Sequence, residues 1–499
     1  MLFNSFEFLI FLPVVFLLYW FVFRPRRLQN LLVVVASYVF YGWWDWRFLF
    51  LIALTSLCSF GSGLLMGDPT PALPAQPEGM LSKRSGERRG GGWRRGVCAA
   101  NIVLNLGILG VFKYYNFFVE NLETLMNATL GYQLDYVTMN IILPVGISFY
   151  TFQALSYSID VYRRKLPATK DIVEFFAYIS FFPQLVAGPI ERATNLLPQF
   201  QRERRFDYTQ AVDGCRQMLW GFFKKMVIAD NCAMAVDYVW AGYEHQTGFV
   251  LLLGALLFTF QIYGDFSGYS DIAIGCARLF GFDLKRNFNF PYFSRNIPDF
   301  WRRWHISLMT WFRDYVYFPL GGSRCSRMKT FRNIFVVWGI SGLWHGANWT
   351  YVIWGLYHGM LLVIYNLLGV KHGDGKSPLY LKLLQGALTF SLVLIGWIIF
   401  RAETIGDAFG YMSSMCSSSL FDVAGSHDAL KAMNFTKTPG LVLMLVAEWL
   451  MRDRQHALQI MGDNFLTRKA WVRYTLYVIL ATCTLAYAGT KSAFIYFQF

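Results

Sequence analysis

Apolar residues in this chain are grouped in runs of spanning length, and most of the charged residues lie between these runs. A helix of about 20 apolar residues matches the hydrocarbon thickness of a bilayer. The pattern therefore predicts an all-α polytopic membrane protein with roughly 11–12 transmembrane helices. The predicted spans lie near residues 6–23, 28–45, 47–66, 97–118, 137–160, 211–240, 248–280, 333–347, 348–369, 383–401, 438–451 and 471–489.

Two further segments do not fit the pattern of simple spans. Residues 171–192 contain Pro183, Gly188 and Pro189, and basic loops stand on both sides of them. Because basic loops stay cytoplasmic, such a segment must enter the membrane and turn back. The segment 297–320 also lies between basic clusters. We therefore predict re-entrant or interfacial segments at both places, with their broken backbone against protein or a wet cavity.

The loops also divide the chain into three regions. Residues 1–66 are predicted to form N-terminal transmembrane helices, and the Gly-, Pro- and Arg-rich residues 67–96 a cytoplasmic basic linker. Residues 97–499 then hold the catalytic core and the C-terminal helices. The connection 119–135 has acidic residues and no Lys or Arg, so it is predicted to face outward.

Composition supports the membrane class. Hydrophobic residues make up 55% of the 499 residues and charged residues 15%, whereas soluble domains are about 25% charged. The net charge of +14 would suggest nucleic acid in a soluble protein. Here the basic residues lie between apolar runs, which favours loops facing an anionic leaflet and no nucleic-acid partner. The eight cysteines are scattered without a CxxC pair, so no metal site is predicted.

The sharpest candidate for chemistry is His345, in the segment GISGLWHGANWTYVIWG at residues 339–355. Gly342 and Gly346 flank it and permit close approach of a backbone or a substrate, and Trp344 and Trp349 can wall the site. Burial favours a neutral imidazole that can accept a proton, as a general base requires. The alternative is a buried histidine that hydrogen-bonds a neighbouring helix or snorkels to the interface.

His305 lies beside Arg302 and Arg303 in FWRRWHISLMTWFRDYVYFPLGG, residues 300–322. A guanidinium cluster at a membrane face suits phosphates, either of lipid headgroups or of a nucleotide cofactor. The alternative is an ordinary basic interfacial helix.

Two carboxylates, Asp265 and Asp271, stand in the apolar run QIYGDFSGYSDIAIG at residues 261–275. A spacing of six residues places them about 240° apart on an ideal helix, so they do not share a face. Each is expected to have its own partner, an Arg or a His being favoured, and Gly264 and Gly268 suggest local unwinding. Direct catalysis and a structural network around a helix break both remain open.

Together these segments resemble the membrane-bound O-acyltransferase (MBOAT) family, in its bacterial branch that acetylates exported polysaccharides such as alginate. The resemblance covers most of the chain. It runs through MLFNSFEFLIFLPVV, LPVGISFYTFQALSYSIDVYR, FFPQLVAGPIER, QIYGDFSGYSDIAIG, NIPDFWRRWHISLMTWFRDYVYFPLGG, GLWHGANWTYVIWGLYHG and FIYFQF.

The resemblance implies a fold, a reaction and roles for residues. The family fold is a ring of helices around a central funnel. His345 would be the catalytic histidine of the WHG motif and His305 the second histidine, in RRWH. The donor substrate would be a cytoplasmic acyl-CoA, most simply acetyl-CoA, with no bound cofactor. His345 would take the hydroxyl proton, His305 would orient the acceptor or donate to the thioester carbonyl, and Arg302 and Arg303 could hold the CoA phosphates. Asn348 and Trp349 are candidate oxyanion donors.

The same resemblance implies a multi-pass protein of the bacterial inner membrane with a periplasmic SGNH-hydrolase-like partner and a polysaccharide acceptor. Two alternatives remain open. One is D-alanyl transfer to teichoic acid with a carrier protein as donor. The other is a transporter or lipid scramblase, in which Asp265, Asp271 and His345 would form a proton relay. The latter should show paired broken helices in two related halves, and no such symmetry is visible in the sequence.

Overall fold

The computed structural model describes residues 1–67, 91–132, 138, 142–369, 378–433, 439–459, 469–487 and 494–495. Within these ranges every regular element is helical, so the predicted all-α class is confirmed. The helices form two compact units. Residues 68–90, most of the predicted basic linker, lie outside the described part of the chain, and residues 91–96 already belong to a helix.

The first unit comprises Met1–Val186, Ile190–Asp207 and Phe280–Leu284. Its helices are α1 (Phe6–Leu17), α2 (Arg26–Gly42), α3 (Leu49–Met66), α4 (Gly91–Leu109), α5 (Tyr115–Leu130), α6 (Ile147–Tyr162), α7 (Ile172–Ser180), α8 (Phe182–Leu185) and α9 (Ala193–Gln201). A π-helical turn, Gly110–Tyr114, joins α4 to α5.

The second unit comprises Ala187–Pro189, Tyr208–Leu279 and Lys285–Phe499. Its helices are α10 (Tyr208–Phe222), α11 (Asp230–Ala241), α12 (Gly248–Leu279), α13 (Ile297–Arg303), α14 (Ile306–Phe312), α15 (Arg327–His345), α16 (Trp349–Leu367), α17 (Leu379–Arg401), α18 (Ile405–Met415), α19 (His427–Ala432), α20 (Pro439–Leu450) and α21 (Ala470–Ala486). A π-helix, Phe223–Ala229, joins α10 to α11.

Several of these helices have membrane-spanning character. In the described ranges, four are long and apolar enough to cross a bilayer: Trp46–Met66, Gly91–Leu130, Gly248–Leu279 and Leu379–Arg401. Shorter apolar helices are Phe6–Val22, Pro439–Leu450 and Ala470–Ala486. The other predicted spans correspond to helices that are shorter or less apolar, which suits a fold with broken and tilted segments.

The connection predicted at 119–135 is helical as far as Leu130. The α4 helix, the π-helical turn and α5 form one helical stretch from Gly91 to Leu130, a length of 40 residues. Glu120 and Glu123 suggested a loop, but Glu is a good helix former and does not end a helix. The stretch ends at Gly131, which has a φ of +63° and whose N–H bonds the carbonyl of Asn127. That this segment faces outward stays a prediction.

The segment with helix breakers near 171–192 is interrupted where the sequence suggested. Asp171 caps α7 by accepting from the N–H of Val173 at 2.8 Å. The helix stops at Ser180, and α8 restarts with Pro183 in its first turn, where a missing N–H is tolerated. Phe181 and Phe182 are fully buried, so protein surrounds this break. Re-entry of this segment into a bilayer stays a prediction.

The predicted unwinding at Gly264 and Gly268 was wrong, because α12 is one continuous helix of 32 residues. These glycines serve close helix packing instead. A β-carbon on Gly268 would lie 2.8 Å from the carbonyl oxygen of Gly221, and one on Gly275 would overlap the carbonyl oxygen of Gly214. The backbone of α10 therefore approaches α12 almost to contact along this face.

This packing predicts the effect of adding one methyl group. Gly275→Ala would press against the carbonyl oxygen of Gly214 and the backbone nitrogen of Met218, neither of which moves without shifting α10. We expect the free energy of unfolding to fall by about 1–3 kcal/mol. Gly107→Ala on α4 is the control, because no atom lies within 4 Å of its added β-carbon. Thermal unfolding in detergent, followed by circular dichroism, measures both, and equal melting temperatures would contradict the close approach.

Candidate active site

His345 is the last residue of α15, and its position depends on how α15 packs against α16. A β-carbon on Gly342 would overlap the carbonyl oxygen of Tyr351, and one on Gly346 would overlap the ring of Tyr351. The predicted close approach at both glycines is therefore made by α16 itself. The two helices form a tight antiparallel hairpin, and His345 lies at its turn.

Aromatic rings surround His345. Its ring centroid lies 4.9 Å from that of Trp344, 4.9 Å from that of Trp354 and 5.4 Å from that of Phe400. The side chain is buried. The neighbouring rings hold this imidazole in one orientation.

His305 lies at the junction of α13 and α14 and is also buried. Its backbone has a φ of +43°, in the left-handed region that a bulky residue rarely adopts. The Nδ1 atom lies 3.0 Å from Oδ1 of Asn287, and the ring packs edge-on against Phe266 at 4.6 Å. A residue held in this conformation indicates that its surroundings fix it, as is common at functional sites.

Trp344 connects the two histidines. Its ring lies 6.0 Å from that of His305 and 4.9 Å from that of His345. The structure therefore brings three of the predicted site residues together, although they come from α13–α14 and from the end of α15. A third buried histidine, His358, adjoins this cluster through Trp354 at 5.2 Å and accepts from Nε1 of Trp301 at 3.3 Å.

The two arginines before His305 are more accessible to solvent than its ring. Arg302 is exposed, and Arg303 is paired with Asp299 at 3.0 Å one turn earlier on α13. Both guanidinium groups lie at the accessible end of the segment that carries His305. They can therefore meet a phosphate that approaches along this surface.

Asn348 and Trp349 begin α16. The Oδ1 of Asn348 accepts from the N–H of Thr350 at 3.0 Å, and its Nδ2 donates to the carbonyl of Glu403 at 2.8 Å. Trp349 is 50% exposed. Asn348 is thus a helix cap, and its bond to Glu403 uses one of the two N–H donors of its amide.

The two aspartates of α12 lie in separate ion pairs, as their spacing predicted, but their partners are lysines of the π-helix and not Arg or His. Asp265 pairs with Lys225 at 2.7 Å, and Asp271 pairs with Lys224 at 2.6 Å. Asp265 also accepts from the N–H of Ile495 at 2.7 Å. These contacts favour the structural network that the sequence left open as an alternative to direct catalysis.

More polar groups extend the pair formed by Lys224 and Asp271. Gln217 donates to Asp271 at 2.8 Å and accepts from Arg278 at 2.9 Å. Glu448 lies 3.8 Å from Lys224 and accepts from the hydroxyl of Tyr263 at 2.7 Å. A small, partly open pocket adjoins this network. Its polar lining is Lys224, Ser267, Ser270, Asp271, Arg286, Asn287, Gln455 and His456.

Comparison with known proteins identifies the family of this chain. Residues 125–369 match the profile of the MBOAT, membrane-bound O-acyltransferase, family. The probable alginate O-acetylase AlgI of Pseudomonas aeruginosa is 44% identical over 418 residues, 84% of this chain and 75% of that protein. The probable AlgI of Pseudomonas putida is 38% identical over 514 residues, with 100% of both chains covered. This chain belongs to the MBOAT family. A peptidoglycan O-acetyltransferase of Helicobacter pylori is 29% identical over 552 residues, 100% of this chain and 98% of that protein.

Membership of the MBOAT family confirms the resemblance found in the sequence. The protein is a multi-pass membrane protein and an O-acyltransferase. This favours the enzyme over the transporter or scramblase alternative.

Several residues around this MBOAT site were not singled out from the sequence. Lys224 and Lys225 carried a usable signal, because two consecutive lysines inside an apolar segment must be paired. Glu448 carried a weaker signal of the same kind in the apolar run of α20. Asn287 carried none, since a single Asn in a connecting loop gives no sign that it will be buried beside His305.

Removing the cation of an ion pair should lower stability more when the pair is buried than when it is exposed. Lys225 holds two carboxylates, Asp265 at 2.7 Å and Asp230 at 2.9 Å, and all three side chains are buried. Lys225→Met leaves both carboxylates without their cation, which is expected to cost about 3–5 kcal/mol of unfolding free energy. Melting in detergent measures the loss.

The control removes an ion pair of the surface. Arg47 pairs with Asp45 but is largely exposed, so Arg47→Ala should leave the melting temperature almost unchanged. If Lys225→Met has the same melting temperature as the wild type, the ion-pair network does not stabilise the fold.

Proposed function

We propose that the protein moves an acetyl group from cytoplasmic acetyl-CoA across or within the membrane for O-acetylation of an exported polysaccharide, such as alginate or another cell-surface glycan. The relatives named as alginate O-acetylases support the reaction class and the kind of acceptor. The observation that carries the mechanism is the pair of buried imidazoles, His305 and His345, whose rings lie 6.0 Å and 4.9 Å from the ring of Trp344.

The chemistry needs one base and no external source of energy, because a thioester is already activated. The acceptor hydroxyl attacks the thioester carbonyl while His345 takes its proton. The C–O bond forms, and the tetrahedral oxyanion then expels the thiolate of CoA as the C–S bond breaks. The imidazolium of His345 returns its proton to the leaving sulfur, so the enzyme ends in its starting state.

The surroundings of His345 suit this role. The rings of Trp344, Trp354 and Phe400 pack around this histidine and would keep out water, which competes with the acceptor hydroxyl for the acyl group. His305 would orient the acceptor or donate to the thioester carbonyl. Arg302, exposed at the start of the same segment, and Arg303 would meet the phosphates of CoA.

The place of the protein in the cell follows from this reaction. CoA thioesters are cytoplasmic and exported glycans lie beyond the membrane, so the enzyme would span the bacterial inner membrane. A periplasmic SGNH-hydrolase-like partner would place the acetyl groups on the polysaccharide.

The test uses purified full-length protein in lipid nanodiscs with radiolabelled acetyl-CoA, with and without the proteins encoded beside its gene. His345→Ala and His345→Gln should lower label transfer by at least about 100-fold, the range expected for loss of a general base. Their melting temperatures should stay near that of the wild type.

His427→Ala is the matched control, because that histidine is 68% exposed and lies apart from the aromatic cluster. Full transfer by the His345 variants would end the assignment. Transfer of labelled D-alanine from a carrier protein, with none from acetyl-CoA, would favour the teichoic acid alternative.

A further inference from the structure

Asn287 lies in the loop between α12 and α13, is fully buried, and contacts three consecutive residues at the start of α14. Its Oδ1 accepts from the N–H of Ser307 at 3.2 Å and from the hydroxyl of Ser307 at 2.9 Å. The same oxygen lies 3.0 Å from Nδ1 of His305. The backbone carbonyl of Asn287 accepts from the N–H of Ile306 at 2.9 Å. One residue therefore holds His305 and both positions that follow it.

These contacts determine which way the amide of Asn287 faces. A backbone N–H can only donate, so the atom that faces Ser307 must be the oxygen of the amide and not its nitrogen. The amide nitrogen then faces Ser270, to whose Oγ it donates at 3.2 Å. Both ends of the side chain are satisfied in this orientation and not in the flipped one.

The protonation of His305 follows from the same contact. Because an amide oxygen only accepts, Nδ1 of His305 must carry a proton to bond it. A neutral imidazole has one proton, so its lone pair is on Nε2. Nε2 can therefore accept a hydrogen bond but cannot donate one unless the ring becomes charged.

The backbone gives an independent reason for the role of Asn287. His305 precedes α14 in the left-handed conformation, with no side-chain cap of its own for that helix. Asn287 supplies the missing acceptors, since its backbone and side-chain oxygens bond the first two N–H groups of α14. Asn287 thus stabilises the left-handed backbone conformation of His305 and also fixes the orientation of its ring.

We infer that Asn287 is a positioning residue that fixes His305 as the Nδ1–H tautomer, so that Nε2 accepts a hydrogen bond from the acceptor hydroxyl. This inference rests on the proposed function and decides between the two roles given to His305 there. His305 keeps the role of orienting the acceptor hydroxyl. It loses the role of donating a hydrogen bond to the thioester carbonyl.

The charged groups near Asn287 are those of the adjoining pocket: Lys224 with its partners Asp271 and Glu448, Arg286, and His456 with its partner Asp213. Phe266, Phe288 and Trp344 face the ring of His305 from α12, from the loop and from α15. A charge placed at position 287 would therefore act on His305 directly.

The experiment compares Asn287→Leu and Asn287→Asp in the acetyl-transfer assay. Asn287→Leu keeps the branched shape of the side chain but removes the acceptor oxygen, and we expect kcat to fall by about 10- to 100-fold with the KM for acetyl-CoA unchanged. Asn287→Asp keeps the acceptor and should retain most activity. Its carboxylate stabilises the imidazolium, so the acidic limb of its pH–rate profile should move up by about 1 pH unit.

The control is Asn105→Leu, which removes another fully buried amide, one that bonds Ser59 and Asn101 on the α3–α4 face. It should lower the melting temperature without moving the pH–rate profile. If Asn287→Leu fails to fold, the pH–rate profile of Asn287→Asp alone tests the positioning role.

The outcomes separate this inference from the proposed function. Loss of activity in His305→Gln, together with the two Asn287 results above, supports both. The positioning role alone is overturned if His305→Gln loses activity while Asn287→Leu keeps a kcat within twofold of the wild type. It is also overturned if His305→Gln loses activity and the pH–rate profile of Asn287→Asp does not shift. Full activity of His305→Gln overturns the role of His305 in the proposed function and this inference with it.

Discussion

Charge buried in an apolar medium must be neutralised at short range, and this constraint organises the second unit. Lys224 and Lys225 are adjacent in the π-helix between α10 and α11, and each meets a different aspartate of α12. Removal of either partner would leave an uncompensated buried charge. The glycine contacts between α10 and α12 allow the backbones to approach closely enough for these pairs to form. The position of α12 is therefore fixed at two points six residues apart.

The same helix forms one wall of the candidate active site. Phe266, next to Asp265, packs on the ring of His305, and Ser270, next to Asp271, accepts from Asn287. The side chains that fix α12 are thus immediate neighbours of those that contact His305 and its partner. An active site needs this kind of support, because an imidazole displaced by about 1 Å loses much of its effect.

Much of this arrangement was predictable where the cause is local. The period of apolar residues gave the helical class, and Gly342 and Gly346 gave the close approach beside His345. The spacing of Asp265 and Asp271 correctly predicted separate partners. The prediction of unwound backbone at Gly264 and Gly268 was wrong, because a glycine that permits a bend is not distinguishable by sequence from one that permits another helix to come near.

What the sequence did not reveal depends on contacts between distant parts of the chain. Asn287 and His305 are 18 residues apart, and Trp344 reaches His305 from α15. No period or motif encodes such a meeting, which arises only after the helices pack. The helical turns after residue 118 in the stretch Gly91–Leu130 were missed for another reason: charge was taken to mark a loop, although Glu continues a helix well.

That helix has a consequence for how the first unit stands in a bilayer. Forty residues at about 1.5 Å each extend about 60 Å, twice the roughly 30 Å of hydrocarbon. To lie wholly within the apolar layer it would need a tilt of about 60°, beyond the roughly 0–40° that transmembrane helices adopt. One end therefore stands in the headgroup region or in water, as a helical projection several turns long.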